Sequence, residues 1–293
     1  MVRTLKLFIV FVLTLGLVAC GSSNNQESGA AEGGDDKVIR VGATLVPHAQ
    51  ILNDVVKGKL EEEGYTLEVV EFSDYPLVNQ GLHDGDYNAN YFQTLGYMNQ
   101  QNEANGFKLV AVAGVHIEPM GLYSKKYSVE DEWELEDGAK IGVPNDEDNF
   151  ARAIDFLNAA GYLNNAVVDP DTLEKGINDN AEVNPHGFVI TPLDADKLPI
   201  TLDDVDASVI NGNFALEANL PETNPALIVE TFDTETTVKR TNFLVVNEAD
   251  VTSEKTTALI NAITSEEVKK YIEDTYKGAV IPSFIDAEGN PLK

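Results

Sequence analysis

The stretch KIGVPNDEDNFAR, residues 140–152, decides the fold class of this chain. Ile141 to Val143 predict a short buried strand, and the Pro-Asn pair at 144–145 predicts a turn before a helix. The acidic residues 146–148 would occupy the first helical turn, where negative charge complements the positive end of the helix dipole. A strand, a turn and a helix in this order are typical of open α/β sheets, which bind ligands where strands end and helices begin.

Arg152 is the candidate binding residue of this stretch. Apolar side chains at helical spacing between residues 150 and 157 predict the helix face that packs on the core. At about 100° per residue, Arg152 points away from that face, where its guanidinium could bind a carboxylate through two parallel hydrogen bonds. The spacing also allows an ordinary exposed ion pair with Asp148 or Asp155, and the helix alone does not decide between the two.

The composition is that of a strongly acidic, soluble globular protein. The chain has 293 residues, of which 43% are hydrophobic and 24% charged, enough for two domains or two lobes with separate cores. Its 20 basic and 49 acidic residues give a formal net charge of −29 at pH 7. Such a surface repels nucleic acid and anionic lipid headgroups, so we expect no nucleic-acid partner.

The N-terminus predicts export and a lipid anchor. Two basic residues precede an apolar run, residues 7–19, that has the length of a signal peptide rather than of a membrane span. The run ends on LVAC, which resembles the bacterial lipobox with Cys20 as the lipidated residue. We therefore predict a signal peptide over residues 1–19 and a flexible polar tether over residues 20–37. The alternative is an ordinary secretory signal with an incidental cysteine.

Strands alternate with helices along the rest of the chain, which predicts a parallel α/β sheet. A segment at 118–128, broken by proline and glycine, suggests that the chain crosses there into a second α/β lobe, with a ligand cleft between the two. The predicted strands cover residues 38–44, 66–72, 88–92, 108–115, 140–143, 207–210, 226–231 and 241–246. The predicted helices cover residues 50–63, 77–83, 149–160, 213–219 and 253–276, and another ends near 106.

Motifs for catalysis and for cofactors are missing from the sequence. No GxGxxG, GxxxxGK[ST], HExxH or GxSxG pattern occurs, and the single cysteine, Cys20, excludes an internal disulfide and a cysteine-based metal cluster. We therefore expect no enzymatic activity, no cofactor and no metal. A metal hydrolase that gathers His116 and Glu118 with distant acids is the enzymatic alternative, and the spacing does not support it.

Five stretches together carry a family resemblance: FSDYPLVNQGLHDGDYNANYFQ (72–93), VHIEPMGLYSKKY (115–127), IGVPNDEDNFARA (141–153), DDVDASVINGNFALEANL (203–220) and EVKKYIEDTYKGAVIPSF (267–284). They resemble the MetQ/NlpA family of methionine-binding lipoproteins, the substrate-binding proteins of ABC importers. The resemblance implies a two-lobed, periplasmic-binding-protein-like α/β fold with a ligand cleft between the lobes. Lobe I would comprise residues 38–125 and 240–293, and lobe II residues 126–239.

The resemblance also implies a ligand, partners and a location. The protein would bind L-methionine or a close relative and deliver it to the permease subunits of an ABC importer. It would do so from the outer face of the cytoplasmic membrane, to which its N-terminal lipid anchors it.

Four residues are implied as walls of the pocket for the methionine side chain. Tyr91 and Phe92 would line the thioether pocket, with Tyr75 beside them, and His116 would line the same pocket. Sulfur–aromatic contacts of roughly 0.3–1.5 kcal/mol each would favour a thioether there. Outside this resemblance, the aromatic residues would be ordinary core side chains and the histidine a structural one.

Four more residues are implied as partners of the amino-acid head group. Arg152 would pair with the ligand carboxylate, with Asn149 nearby, and Asn211 and Asn242 would make polar contacts with the head group. Taken alone, Asn211 before a glycine would predict a turn or a helix cap.

Three departures from the family pattern leave the size of the ligand open. Family members often have Asp where this chain has Asn88, and His-Ile-Pro where it has Thr94-Leu95-Gly96, and the segment 164–185 aligns poorly. The alternative function is therefore the same scaffold with another small solute, such as a methionine-containing dipeptide or a different amino acid. A surface adhesin is a third possibility, which the regular α/β pattern does not favour.

Overall fold

The computed structural model of the protein describes residues 36–169, 172–232 and 234–292. The predicted signal peptide, the predicted lipidation site Cys20 and nearly all of the predicted tether lie outside these residues. The strands in chain order are β1 (Val38–Thr44), β2 (Thr66–Phe72), β3 (Ala89–Thr94), β4 (Leu109–Ile117), β5 (Gly121–Tyr123), β6 (Lys140–Pro144), β7 (Val189–Leu193), β8 (Ala207–Ile210), β9 (Ile228–Val229), β10 (Thr241–Asn247) and β11 (Ile281–Pro282).

The helices pack on both faces of these strands. They are α1 (Lys57–Glu62), α2 (Pro76–Asp84), α3 (Leu95–Asn105), α4 (Glu147–Ala159), α5 (Glu174–Asn178), α6 (Gly212–Glu217), α7 (Leu220–Thr223), α8 (Thr234–Arg240), α9 (Glu254–Ile263) and α10 (Glu266–Tyr276). Shorter helical turns occur at Leu45–Ala49, Leu52–Val56, Ala195–Lys197 and Glu248–Asp250.

The first sheet has the strand order β11-β4-β10-β3-β1-β2. Strand β1 pairs in parallel with β2 and β3, whereas β10 is antiparallel to both β3 and β4. The prediction of a parallel sheet was therefore wrong for β10. This strand enters the sheet in the opposite direction, after the chain has passed through the second sheet and returned.

The second sheet has the order β7-β6-β8-β5-β9, with β6 parallel to β7 and β8. Strand β5 lies within residues 38–125, which the sequence assigned to lobe I, yet it pairs with β8 and β9 of the second sheet. Strand β7 falls in a stretch that the sequence left irregular, and Asn178 exchanges two side-chain hydrogen bonds with the backbone of Ile190 there.

Each sheet carries its own apolar core, which confirms the predicted two-lobed α/β fold. One buried cluster joins β1 and β4 to α9 and α10, and another joins β6 and β8 to α4. A third cluster joins the lobes, because Tyr75, Phe92 and Tyr97 of the first lobe pack with Ile210 and Phe214 of the second.

Side-chain caps fix the N-terminal ends of helices α4 and α10. Asp146 caps α4 by accepting a hydrogen bond from the backbone N–H of Asn149 at 3.0 Å. The helix predicted over 253–276 is two helices, because Ser265 interrupts it and caps α10 by accepting from the N–H of Val268. Among the described residues, no helix is both long enough and apolar enough to cross a membrane.

Candidate ligand-binding site

A small cavity lies between the lobes, and six of the eight predicted ligand-binding residues line it. Its volume is about 20 Å³, roughly the space that one water molecule needs. A larger ligand therefore requires the lobes to part or the lining side chains to move. The predicted lining residues are Tyr75, Phe92, Asn149, Arg152, Asn211 and Asn242, and the others are Gln93, Thr94, Tyr97, Glu118, Gly212 and Asn213.

Aromatic rings form one wall of the cavity. The ring centroid of Tyr75 lies 5.6 Å from those of Phe92 and Tyr97 and 5.0 Å from that of Phe214. Phe92 and Tyr97 are 5.7 Å apart in an edge-to-face arrangement. The wall is apolar, and both lobes contribute to it.

Tyr91 and His116, which the sequence analysis placed in the pocket wall, do not line this cavity. Phe92, Gln93 and Thr94 all line the cavity, and β3 is irregular beside Phe92, where β10 pairs with Tyr91 and Gln93 and skips the residue between them. Tyr91 packs in the core of the first lobe, where it is fully buried and its hydroxyl hydrogen-bonds to Nδ1 of His116. Both side chains lie one layer behind the cavity.

Glu118 connects that buried layer to the cavity. Its Oε1 lies 2.5 Å from Nε2 of His116 and 3.2 Å from Nε2 of His48. Nε2 of His48 is also 3.2 Å from Oδ1 of Asn242. Nε2 of each ring therefore faces oxygen acceptors. The two histidines fix the position of the Glu118 carboxyl group at the cavity.

Burial determines the ionisation of this cluster. It lowers the pKa of His48 to about 4 and that of His116 to about 3, so both rings are neutral near pH 7. Burial also raises the pKa of Glu118, against the opposing effects of His48 and Arg152. The ligand atoms of the three side chains lie within 4.8 Å of one another, close enough for a metal ion. The hydrogen bonds between them account for the same contacts without one.

Arg152 is buried between the lobes and already faces a carboxylate. It is 4% exposed, and its Nε lies 3.0 and 3.2 Å from the two carboxylate oxygens of Glu230. Its Nη2 donates to Glu230 as well, and to the carbonyl oxygen of Glu118 at 2.8 Å. Arg152 thus pairs with Glu230 and not with Asp148 or Asp155, the two partners that the sequence allowed.

Three asparagines line the cavity on the side of the second lobe. Asn211 donates from Nδ2 to Oδ1 of Asn149 at 2.8 Å, and Asn149 donates in turn to the carboxylate of Asp146. Asn213 accepts a hydrogen bond from the Tyr75 hydroxyl at 2.7 Å. Within the described residues, Oδ1 of Asn211 and Nδ2 of Asn213 are buried without a partner. Such atoms favour a polar ligand that supplies one donor and one acceptor.

Sequence reasoning named Glu118 only as a possible metal ligand, and it missed Glu230. Glu118 follows His116 by two positions in an otherwise apolar stretch, and a lone acid there was a signal for a buried polar site. Glu230 lies 78 positions from Arg152 in a segment without a distinctive pattern, and no signal in the sequence pointed to their contact.

Two α/β lobes that meet around a small polar cavity define the class of bilobal solute-binding proteins. The chain belongs to the NlpA lipoprotein family, whose sequence profile matches residues 39–284. It is 36% identical to the methionine-binding lipoprotein MetQ of Bacillus subtilis over 284 residues, which cover 94% of this chain and 98% of that relative.

Two solved structures are similar to this one. A lipoprotein from Ruminococcus gnavus has 39% identity and a TM-score of 0.75, and the match covers 84% of this chain and 99% of the other. A nutrient-binding protein from Burkholderia cenocepacia, bound to methionine, has 36% identity and a TM-score of 0.73, covering 84% and 100%.

We predict that the imidazoles of His48 and His116 stay neutral at about pH 5, where an ordinary histidine is protonated. Between about pH 6.5 and their lowered pKa values, the unfolded chain binds more protons than the folded one. The two rings therefore make the folded state less stable as the pH falls through that window, and the raised pKa of Glu118 acts in the opposite direction.

Nitrogen NMR of the ring atoms measures each ionisation directly, with free histidine as the reference. Shifts that stay those of neutral rings down to about pH 5 are expected. A ring at position 48 or 116 that takes up a proton near pH 6.5 would contradict the assignment.

Proposed function

We propose that this protein captures methionine outside the cytoplasmic membrane and delivers it to the permease subunits of an ABC importer. The observation that carries the proposal is that a buried base, Arg152, and a buried acid, Glu118, line one small cavity beside an aromatic wall. A free amino acid has one group for each of these features. The methionine-binding relative and the methionine-bound neighbour support the choice of side chain.

The ligand carboxylate is assigned to Arg152 and Asn213. Glu230 and the Glu118 carbonyl engage Nε and Nη2 of the guanidinium, which leaves Nη1 for the ligand. The buried Nδ2 of Asn213 adds a second donor. A guanidinium suits this role because it is weakly hydrated and stays charged when it is buried.

The ligand ammonium is assigned to Glu118 and Asn211. Glu118 lines the cavity with a carboxylate that two neutral histidines orient, and Oδ1 of Asn211 is a buried acceptor without a partner in the described residues. Asn242, which lines the cavity and hydrogen-bonds to His48, holds this arrangement from the first lobe. An ammonium bound here would compensate the charge of Glu118, which burial disfavours.

The thioether is assigned to the aromatic wall of Tyr75, Phe92 and Tyr97. A flexible, polarizable side chain gains from contact with several ring edges, roughly 0.3–1.5 kcal/mol for each sulfur–aromatic contact.

Binding in this proposal is a hinge motion of the lobes. The chain passes between the sheets near residues 118–120 and again near 240, so a few residues there would absorb the change in backbone angles. We propose that lobe I holds β1–β4, β10 and β11 and lobe II holds β5–β9. The protein would thus act as a receptor and not as an enzyme, as its relatives among transport proteins indicate.

We predict that ligand-free protein binds methionine and discriminates strongly against methioninamide, which lacks the carboxylate. A charge-assisted hydrogen bond of about 1.5–3 kcal/mol corresponds to about 10- to 100-fold in affinity. Arg152→Lys keeps the charge beside Glu230 but loses the planar fork, so it should weaken methionine binding by that factor and reduce the discrimination. Arg152→Ala is a poorer test, since it removes the main partner of the partly buried Glu230. Within the described residues, Glu230 would keep only Arg240 at 3.5 Å and the backbone N–H of Met120, which would destabilise the fold.

Calorimetric titration after unfolding and refolding, which removes any bound ligand, gives the affinities. Arg40→Lys is the matched control, because Arg40 lies on the surface and pairs with Glu68 there. Leucine and glycyl-methionine complete the panel. Tighter binding of either than of methionine, or equal binding of the acid and the amide, would contradict the proposal.

We further propose that Cys20 carries the lipid that anchors the protein. Cys20→Ser should release the protein from the membrane fraction into the medium or periplasm without changing its affinity for methionine, because the anchor is remote in sequence from the cavity residues. Fractionation and immunoblotting of cells that express each form measure this. A serine variant that remains in the membrane fraction would contradict lipid anchoring at Cys20.

A further inference from the structure

Helices α3 and α4 face each other across the lobe boundary, next to the cavity. Asp148, in the first turn of α4, directs its carboxylate at the beginning of α3, where Thr94 Oγ1 donates to Asp148 Oδ2 at 3.2 Å. Nearly two turns further along α3, Gln100 donates to Glu147 at 3.4 Å. These contacts join an element of the first lobe to an element of the second, so they must break when the lobes separate.

Gly96 leaves the space that the Asp148 carboxylate occupies. A β-carbon on Gly96 would lie 2.0 Å from Oδ1, 2.7 Å from Cγ and 2.9 Å from Oδ2 of Asp148. All three distances are shorter than any normal contact, so a larger residue at position 96 would displace the carboxylate. Gly96 lies near the start of α3 without the positive φ that favours glycine, so its backbone does not require this residue.

The charge of Asp148 suits the end of α3 that it contacts. The first turn of α3 contains no acidic residue of its own, although the positive end of the helix dipole favours one there. Asp148 supplies that negative charge from the other lobe. Burial raises the pKa of Asp148, whereas Arg240, Thr94 and Arg152 favour its ionised form.

We propose that Asp148 and the α3 notch, formed by Thr94 and Gly96, are the latch that holds the lobes closed on the bound ligand. The inference rests on the proposed function, since it assigns the latch to the same cavity. Asp148 does not line the cavity and is therefore a positioning residue. Ligand-free protein exchanges between an open form, which the ligand enters, and a closed form, which the latch stabilises. The latch therefore slows ligand release and has little effect on the association rate.

A double-mutant cycle tests the latch. Gly96→Ala displaces the carboxylate, and Asp148→Ala removes it. Each single change should weaken methionine binding about 10-fold, because it removes the hydrogen bond between the lobes. The double variant should also be about 10-fold weaker rather than about 100-fold, since both changes remove the same contact. Stopped-flow kinetics should place the loss in the dissociation rate.

Gly58→Ala is the matched control, because a β-carbon there meets nothing within 4 Å. It should change neither affinity nor dissociation rate. Urea unfolding of each ligand-free variant checks that folding is intact. Independent penalties that multiply to about 100-fold in the double variant, or an unchanged dissociation rate in Gly96→Ala, would overturn the latch.

A second readout needs no ligand. Small-angle X-ray scattering of the ligand-free Gly96→Ala protein should show a larger radius of gyration than the wild type and Gly58→Ala, because the closed form has lost its latch. If the wild type fails to bind methionine, the proposed function falls, and this comparison still decides the latch. An identical radius of gyration in all three proteins would overturn it.

Discussion

The site depends on one constraint, a guanidinium buried between two lobes. Moving an ion out of water costs several kcal/mol, and the cost is offset only when well-placed partners surround it. Glu230 and the carbonyl oxygen of Glu118 provide these partners for Arg152, from the end of β9 and from the segment that crosses between the sheets. Arg152 therefore reaches this position only when three segments that are far apart in the sequence have folded together. Its buried charge is a structural part of the second lobe.

Glu118 is the buried acid that lines the same cavity as Arg152. His48 and His116 hold its carboxyl group from the first lobe, with Tyr91 behind them. Arg152 already pairs with Glu230, whereas the described residues place only neutral histidines and the more remote charge of Arg152 near the Glu118 carboxyl group. In the proposed function the ligand ammonium supplies the missing positive charge, and the ligand carboxylate takes the remaining donor of Arg152.

Local patterns in the sequence predicted much of this arrangement. The strand, turn and helix of residues 140–157 form as expected, with the apolar stripe in the core, because each feature depends on residues within a few positions. Asp146, expected in the first turn, is instead the cap of α4. Arg152, Asn149 and Asn211, which the family pattern implied as ligand contacts, line the cavity.

The features that local patterns did not indicate share a physical origin, which is contact between remote parts of the chain. Tyr91 packs in the core of the first lobe while its neighbour Phe92 lines the cavity, because β3 is irregular where β10 pairs with it. The pairing of Arg152 with Glu230 and the fit of Asp148 against Gly96 are of the same kind. They join residues 78 and 52 positions apart, and only the packed lobes bring them together. The antiparallel pairing of β10 in the first sheet likewise depends on contacts between residues far apart in the sequence.

The orientation of a bound amino acid tests the pairing of opposite charges most directly. A crystal structure of the protein grown with methionine should show the ligand carboxylate within hydrogen-bonding distance of Arg152. Its ammonium should lie at the same kind of distance from Glu118, with the sulfur among Tyr75, Phe92 and Tyr97. A methionine bound with its carboxylate turned away from Arg152, or bound outside the cavity between the lobes, would contradict that pairing.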